Sequence, residues 1–147
     1  MARWLMKSEP GTYSWADLVR ERATQWDGVR NAAARLHLKA MTPGDQAFFY
    51  HSGDERAVVG IMEVAALAHP DPKDDTGVWR CVDMRAVEDL PRPVTLVEIK
   101  ANPKLADMAL VKYARLSVQP VTAAEWAEVC RMGGLTTPLK PAKKSKG

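Results

Sequence analysis

Gln46-Ala47-Phe48-Phe49-Tyr50-His51, closed by Ser52-Gly53-Asp54 and followed by an apolar run from Ala57 to Leu67, is the stretch that decides the fold. In the first run Phe48 and Tyr50 fall on one face of a strand and Phe49 and His51 on the other, because strand side chains alternate. Ser52-Gly53-Asp54 is turn chemistry. The second run is apolar on nearly both faces, as a strand is when both faces are covered. Gly60 within it marks a bulge or a close approach to the backbone. Val82, Met84 and Ala86 then alternate with Cys81, Asp83 and Arg85 in a strand expected over residues 78–87, reached through the polar, proline-rich loop His69 to Gly77. Long strands joined by turns suggest a curled sheet or barrel.

Helices flank that sheet. Upstream, Trp4 to Ser8 reads as a short strand stopped by Glu9-Pro10-Gly11, and Ser14 with Asp17 caps a helix that buries Leu18. A second helix is expected to bury Val29, Ala33, Leu36 and Ala40 and to turn Arg35, His37 and Lys39 outward, with His37 a surface histidine. Thr42-Pro43-Gly44-Asp45 is the turn into the Gln46 strand. Downstream, Pro91-Arg92-Pro93 is expected to break the sheet, and Thr95 with Glu98 to cap a short helix that stops before Pro103. Leu105, Met108 and Leu110 read as a partly helical cover, and Arg115 to Val121 as a last extended piece. Thr122 with Glu125 caps a closing helix with Trp126, Val129 and Cys130 on its core face and Gly133-Gly134 at its stop. Past Thr136 periodicity gives way to Pro and Lys, so one α+β domain over 1–135 and a basic, disordered tail over 136–147 are expected.

A chain of 147 residues with 46% hydrophobic and 27% charged residues suits one globular domain. Lys140, Lys143, Lys144 and Lys146 account for more than the whole net charge of +3, and without them residues 1–139 carry −1. The body is therefore no general polyanion binder, and nucleic acid would have to be met by a local patch or a shaped pocket. Met1 to Lys7 reaches charge too early for a signal peptide, and no apolar run is long enough to span a bilayer, so a cytoplasmic location with no membrane partner is expected. Cys81 and Cys130 lie in no paired motif and read as free buried thiols; neither a zinc site nor any other metal or cofactor is signalled. There is no phosphate-cradling glycine loop and no nucleophile elbow. His51 beside Ser52 cannot act as a dyad unless the strand ends between them, since neighbouring strand residues face opposite ways.

One stretch holds more chemistry than a connector needs. Gln25-Trp26-Asp27-Gly28-Val29-Arg30-Asn31 joins two helix-like segments, and Asp27-Gly28 alone supplies a turn. Trp26, Arg30 and Asn31 then remain as a stacking surface, a fork of donors and a group that both donates and accepts, which suits a planar polar ligand such as a nucleobase. The plainer alternative is that Trp26 plugs a core and Asn31 caps the next helix. Further polar groups collect at element ends: Lys7, Ser8 and Glu9; Tyr50, His51 and Ser52; Arg115 and Ser117. Convergence of those ends would make an aromatic-lined pocket for a flipped or single-stranded base.

Trp4-Leu5-Met6-Lys7-Ser8-Glu9-Pro10, Trp26-Asp27-Gly28-Val29-Arg30-Asn31, Phe48-Phe49-Tyr50-His51-Ser52, Val59-Gly60-Ile61 and Arg115-Leu116-Ser117-Val118 together resemble the signature blocks of the EVE domain family. That family includes the thymocyte nuclear protein of animals and many small bacterial proteins. The resemblance runs in order from Arg3 to about Gly134 and implies a PUA-like fold, a small curled β-barrel with surrounding helices, related to YTH and ASCH domains. It implies a non-enzymatic reader of a modified base, chiefly modified cytosine such as 5-methylcytosine in DNA, or a modified base in RNA, with nucleic acid as partner and no cofactor. Carried over, the ligand pocket is Lys7, Ser8 and Glu9 on one side, Trp26, Asp27, Gly28, Val29, Arg30 and Asn31 as one wall, and Tyr50, His51, Ser52, Arg115 and Ser117 as the others. The alternative is a small PUA-like hydrolase acting on a nucleotide or base-like amide, with Lys7 and Glu9 as its acid-base candidates. A third class is an interaction adaptor.

Overall fold

Alternation in the central strands builds two cores, one on each face of a single sheet. The structure is a computed structural model that describes residues 2–27, 31–77 and 79–135. In chain order its elements are β1 (Arg3–Ser8), α1 (Trp15–Glu21), β2 (Ala23–Trp26), α2 (Ala32–Ala40), β3 (Gln46–His51), β4 (Ala57–Pro70), β5 (Arg80–Thr95), α3 (Leu96–Ala101), a 3-10 turn (Pro103–Leu105), α4 (Ala109–Lys112), β6 (Val118–Val121) and α5 (Ala123–Met132). The sheet order is β2-β5-β4-β3-β1-β6, with β1 parallel to β3 and every other pair antiparallel. Phe49 joins Trp4, Met6, Trp15, Trp26 and Met84 in one core; Phe48 and Tyr50 join Leu5, Ile99, Leu105 and Trp126 in the other. The split follows the expected alternation of β3. Phe48 and Trp126 stack with centroids 3.9 Å apart, which anchors α5 to its face.

The helix boundaries fall where their caps place them. Ser14, Thr95 and Thr122 each accept from the backbone amide three residues on, and Asp17, Glu98 and Glu125 close the boxes. Gly60 lies where β4 shifts register against β5, and a Cβ there would overlap the Trp15 indole, so both consequences expected of it are present. Leu105, Met108 and Leu110 are buried, and both cysteines are free and buried.

Three expectations give way. Residues 23–26 are not part of a connector between helices: they form β2, paired with β5 from Ala23↔Arg85 to Trp26↔Val82, because the open edge of β5 supplies a ladder for a short alternating segment. Helix α2 buries Ala34 and Leu38, whereas Ala33, Leu36 and Ala40 are exposed, and Val29 lies outside the described residues. Its flanks are covered by polar side chains, Arg35 over the Trp79 ring and His37 with its ring 5.6 Å from that of Trp4. His37 is accordingly half-buried, and burial lowers its pKa. Pro91-Arg92-Pro93 does not end the sheet; β5 runs on to Thr95 because residues 90–93 are looped out of the ladder between the pairs Gly60↔Asp89 and Val58↔Val94, where no strand donor is asked of either proline.

The curl of the sheet follows from the packing of α2. Helix α2 packs against both β5 and β6. Those strands are four sheet positions apart, about 19 Å in a flat sheet at ~4.8 Å per strand. A nine-residue helix is only ~13 Å long, so the sheet must curl to meet it on both sides. No β2-to-β6 ladder closes the sheet among the described residues, and α2 occupies the gap. The architecture is a mixed α/β domain with a curled six-stranded sheet, in keeping with the expected curled sheet with surrounding helices. The 136–147 tail lies outside the described residues.

Candidate functional site

Parallel pairing of β1 with β3 sets Lys7 opposite Tyr50 and Ser8 opposite His51, so both strands end at one place. Two backbone bonds bring other segments there: Ser52 N donates to Ser8 O at 2.9 Å, and Lys7 N donates to Ser117 O at 2.9 Å. The ends of β1 and β3 and the approach to β6 thus converge, as the polar clusters of the sequence suggest.

A cleft of about 490 Å³ opens between the end of β1 and β2. Lys7, Ser8, Glu9, Trp26 and Asp27 line it together with Thr12, Tyr13, Thr24, Gln25 and Lys73. Trp26 is only 8% exposed and meets Phe49 edge-on, with centroids 5.4 Å apart, so its indole belongs to the core while one part forms the cleft wall. Tyr13 donates to Glu21 Oε1 at 2.8 Å, and burial raises its phenol pKa. Ser8 Oγ donates to Tyr13 O, which fixes the hydroxyl against the same wall. Lys73 Nζ lies 3.3 Å from Asp27 Oδ1 across the mouth. Two cations and two carboxylates therefore line the cleft with one buried and one half-buried aromatic ring.

The remaining sequence candidates lie elsewhere. Tyr50 and Ser52 line a neighbouring cleft that shares Lys7. Asn31 and Arg115 meet in a shallow apolar depression with Ala33, Tyr113, Ala114 and Leu116. Asn31 Oδ1 accepts from Ala34 N at 2.9 Å as the cap of α2, so the plainer reading of that oxygen holds. Ser117 contributes its carbonyl to Lys7 N. His51 is 8% exposed and lines neither cleft: its Nε2 accepts from Trp15 N at 2.9 Å, and Nδ1 sits 3.0 Å from Glu55 Oε1 without good hydrogen-bond alignment. Strand β3 does end between His51 and Ser52, yet the imidazole is committed to holding the start of α1. Gly28, Val29 and Arg30 lie outside the described residues.

The acid-base candidates make the following contacts. Lys7 Nζ donates to Ala114 O at 2.7 Å and sits 5.8 Å over the Tyr50 ring, and burial lowers its pKa. Glu9 packs over Gly53. A cysteine, a histidine and an acid lie together without forming a relay: Cys81 Sγ is 3.6 Å from His69 Nδ1 and 3.7 Å from Nε2, while that same Nε2 is 3.1 Å from Asp83 Oδ1. Burial and the carboxylates of Asp71, Asp27 and Asp83 push that thiol up to about 11, which keeps it protonated and unreactive at neutral pH. Among the described residues no group of three or more His, Cys, Asp or Glu is placed to hold a metal ion, and no helix is long and apolar enough to cross a membrane.

Thr24 and Gln25 were missed as lining residues because β2 was read as connector; the alternation Ala23, Thr24, Gln25, Trp26 and the β-branched Thr24 were the available signal. Tyr13 and Lys73 arrive through tertiary contacts that carry no local pattern.

The family model of the EVE domain matches residues 2–132. The chain belongs to the EVE domain family. Human thymocyte nuclear protein 1 is 35% identical over 159 residues, spanning 85% of this chain and 71% of that protein. A Rhodopseudomonas palustris protein solved by NMR is 54% identical, with a TM-score of 0.88 over 92% of this EVE domain chain and 95% of that one. Human THYN1, solved in complex with DNA containing 5-methylcytosine, is 33% identical, with a TM-score of 0.82 over 91% of this chain and 98% of that one.

Proposed function

We propose that this EVE domain binds nucleic acid without chemistry of its own and reads a modified base, with modified cytosine in DNA the leading candidate, in the cleft between β1 and β2. The observation that carries the reading is the form of that cleft: the Trp26 wall and the Tyr13 ring flank groups able to donate and accept from Ser8, Thr24, Gln25 and Asp27. A base needs a flat apolar surface for its face and paired polar groups for its edge. The cleft offers both and, at about 490 Å³, has room for a nucleoside. The human THYN1 complex with 5-methylcytosine-containing DNA supports this class of ligand. Against the hydrolase stands the engagement of both candidates elsewhere, Lys7 Nζ with Ala114 O and the Glu9 carboxylate over Gly53, because a proton-transfer pair has to converge on one reacting atom.

Titration of the protein with short single- and double-stranded DNA carrying one cytosine, 5-methylcytosine or thymine, and with matching RNA, tests the reading. Preference for the modified cytosine, lost or reduced in Trp26→Ala, is the expected result. Equal affinity for all bases, with no change in the folded variant, would remove the base pocket from the account.

A further inference from the structure

A second cleft, of about 340 Å³, lies on the other side of Lys7, where the end of β3, the turn before β4 and helix α3 meet. Lys7, Arg56 and Lys100 line it, and no acidic residue does. None of these three cations is paired with a carboxylate among the described residues, and burial is the sole cause acting on the Lys7 ammonium. Tyr50 faces the same cleft; it is 3% exposed, its hydroxyl has no hydrogen-bond partner among the described residues, and the Arg56 charge reaches it. Arg56 itself holds φ +47°, a conformation rare for a long side chain, and its carbonyl is pinned by Leu96 N at 2.8 Å.

Three cations and a phenol O–H present only donors, and the group that accepts from all of them is an oxyanion. We infer that this cleft is a phosphate site that seats a phosphodiester of the bound strand next to the recognised base, held by Arg56, Lys100, Lys7 and the Tyr50 hydroxyl. Lys7 lines both clefts, so an anion here is a direct neighbour of whatever fills the first. The source of the phosphate, though not the anion chemistry, rests on the base-reading proposal.

The test compares wild type with Arg56→Gln/Lys100→Gln, and with Lys100→Gln alone should the double variant melt early. Affinity for single-stranded DNA with one 5-methylcytosine, and for its unmethylated counterpart, is measured across a salt series. Losing two phosphate contacts should weaken both ligands about tenfold or more and flatten the log-log salt slope by ~1.4, at ~0.7 per contact for single strands. The ratio between the two ligands should stay as in wild type. Unchanged affinity and slope in a folded variant would overturn the site. So would stabilisation of wild type, but not of the variant, by inorganic phosphate while oligonucleotide binding is the same in both, because the cleft would then take a free anion. A wild type that fails to distinguish the ligands, with the variant still losing its slope, would sink base reading and leave the phosphate site standing.

Discussion

Trp26 serves the core and the cleft at once, and its variants have to be read accordingly. Trp26→Ala should cost about 3–5 kcal/mol of stability, as large-to-small core changes do, and a further ~1–3 kcal/mol of ligand affinity in the molecules that stay folded. Calorimetric melting and titration of one preparation separate the two; a large fall in Tm with wild-type affinity would leave Trp26 with a core role alone. Asn31 poses a similar problem, because its side-chain oxygen caps α2. Asn31→Ala would remove cap and amide together, whereas Asn31→Ser keeps an acceptor for the cap and deletes only the amide. Because Asn31 lies outside the proposed base cleft, Asn31→Ser should fold with a stability change of a few tenths of a kcal/mol and keep wild-type discrimination between bases. A loss of ~1–3 kcal/mol of discrimination would instead extend the base site to Asn31.

At the scale of elements, Gly60 and Glu128 each join two parts of the fold. The close approach of Trp15 to Gly60 brings α1 onto the sheet, and the Trp15 indole Nε1–H donates to Asp89. Gly60→Ala should force that ring away, break its bond to Asp89 and lower Tm far more than alanine at an exposed strand position; a Tm close to wild type would mean that the α1 contact is soft. Glu128, 8% exposed on α5, accepts from Arg131 and from Asn102 at the end of α3, and these two hold its carboxyl down to about 2, against 4.5 ordinarily. Its contribution is therefore full above about pH 4.5 and is lost as the pH falls toward 2. Denaturant titrations of Glu128→Gln should show a less stable protein at pH 7 that converges on wild type as the medium becomes acidic; a gap independent of pH would deny the carboxylate that role.

The elements were legible where chemistry is local. Ser14–Asp17, Thr95–Glu98 and Thr122–Glu125 each satisfy a helix end within four residues, so their sequence alone marks the boundary. Strand β2 and the run through Pro91 and Pro93 were not legible, since the first exists because β5 has a free edge and the second because β4 lets four residues loop out. The buried face of α2 departs from its pattern for a related reason: Trp4 of β1 and Trp79, just ahead of β5, pack on His37 and Arg35 and shift the stripe.

For the whole molecule, the work of binding is proposed to divide between shape in one cleft beside Lys7 and charge in the other, with the basic 136–147 segment expected to add to the second. Truncation after Pro138 removes Lys140, Lys143, Lys144 and Lys146 and should weaken nucleic-acid binding uniformly across sequences while flattening its salt dependence, with preference among modified bases retained. Loss of that preference on truncation would show that the tail takes part in reading. Several of the residues that line the two clefts are legible in the sequence as polar residues at element ends, because such ends escape the apolar alternation around them. That they divide between neighbouring clefts is not, since only the curl of the sheet decides which ends face each other.

Strand β1 lies between β3 and β6, so it is flanked by a strand about forty residues later and by the last strand among the described residues. On a ribosome, β1 must wait with one edge unpaired until Val118–Val121 has emerged, and contacts of such long sequence separation slow folding. The cleft-lining residues Lys7 and Ser8 sit at the end of that waiting strand. Their geometry is therefore finished only once β6 has paired, and a nascent or truncated chain lacking β6 should expose a strand edge to chaperones before its clefts are formed.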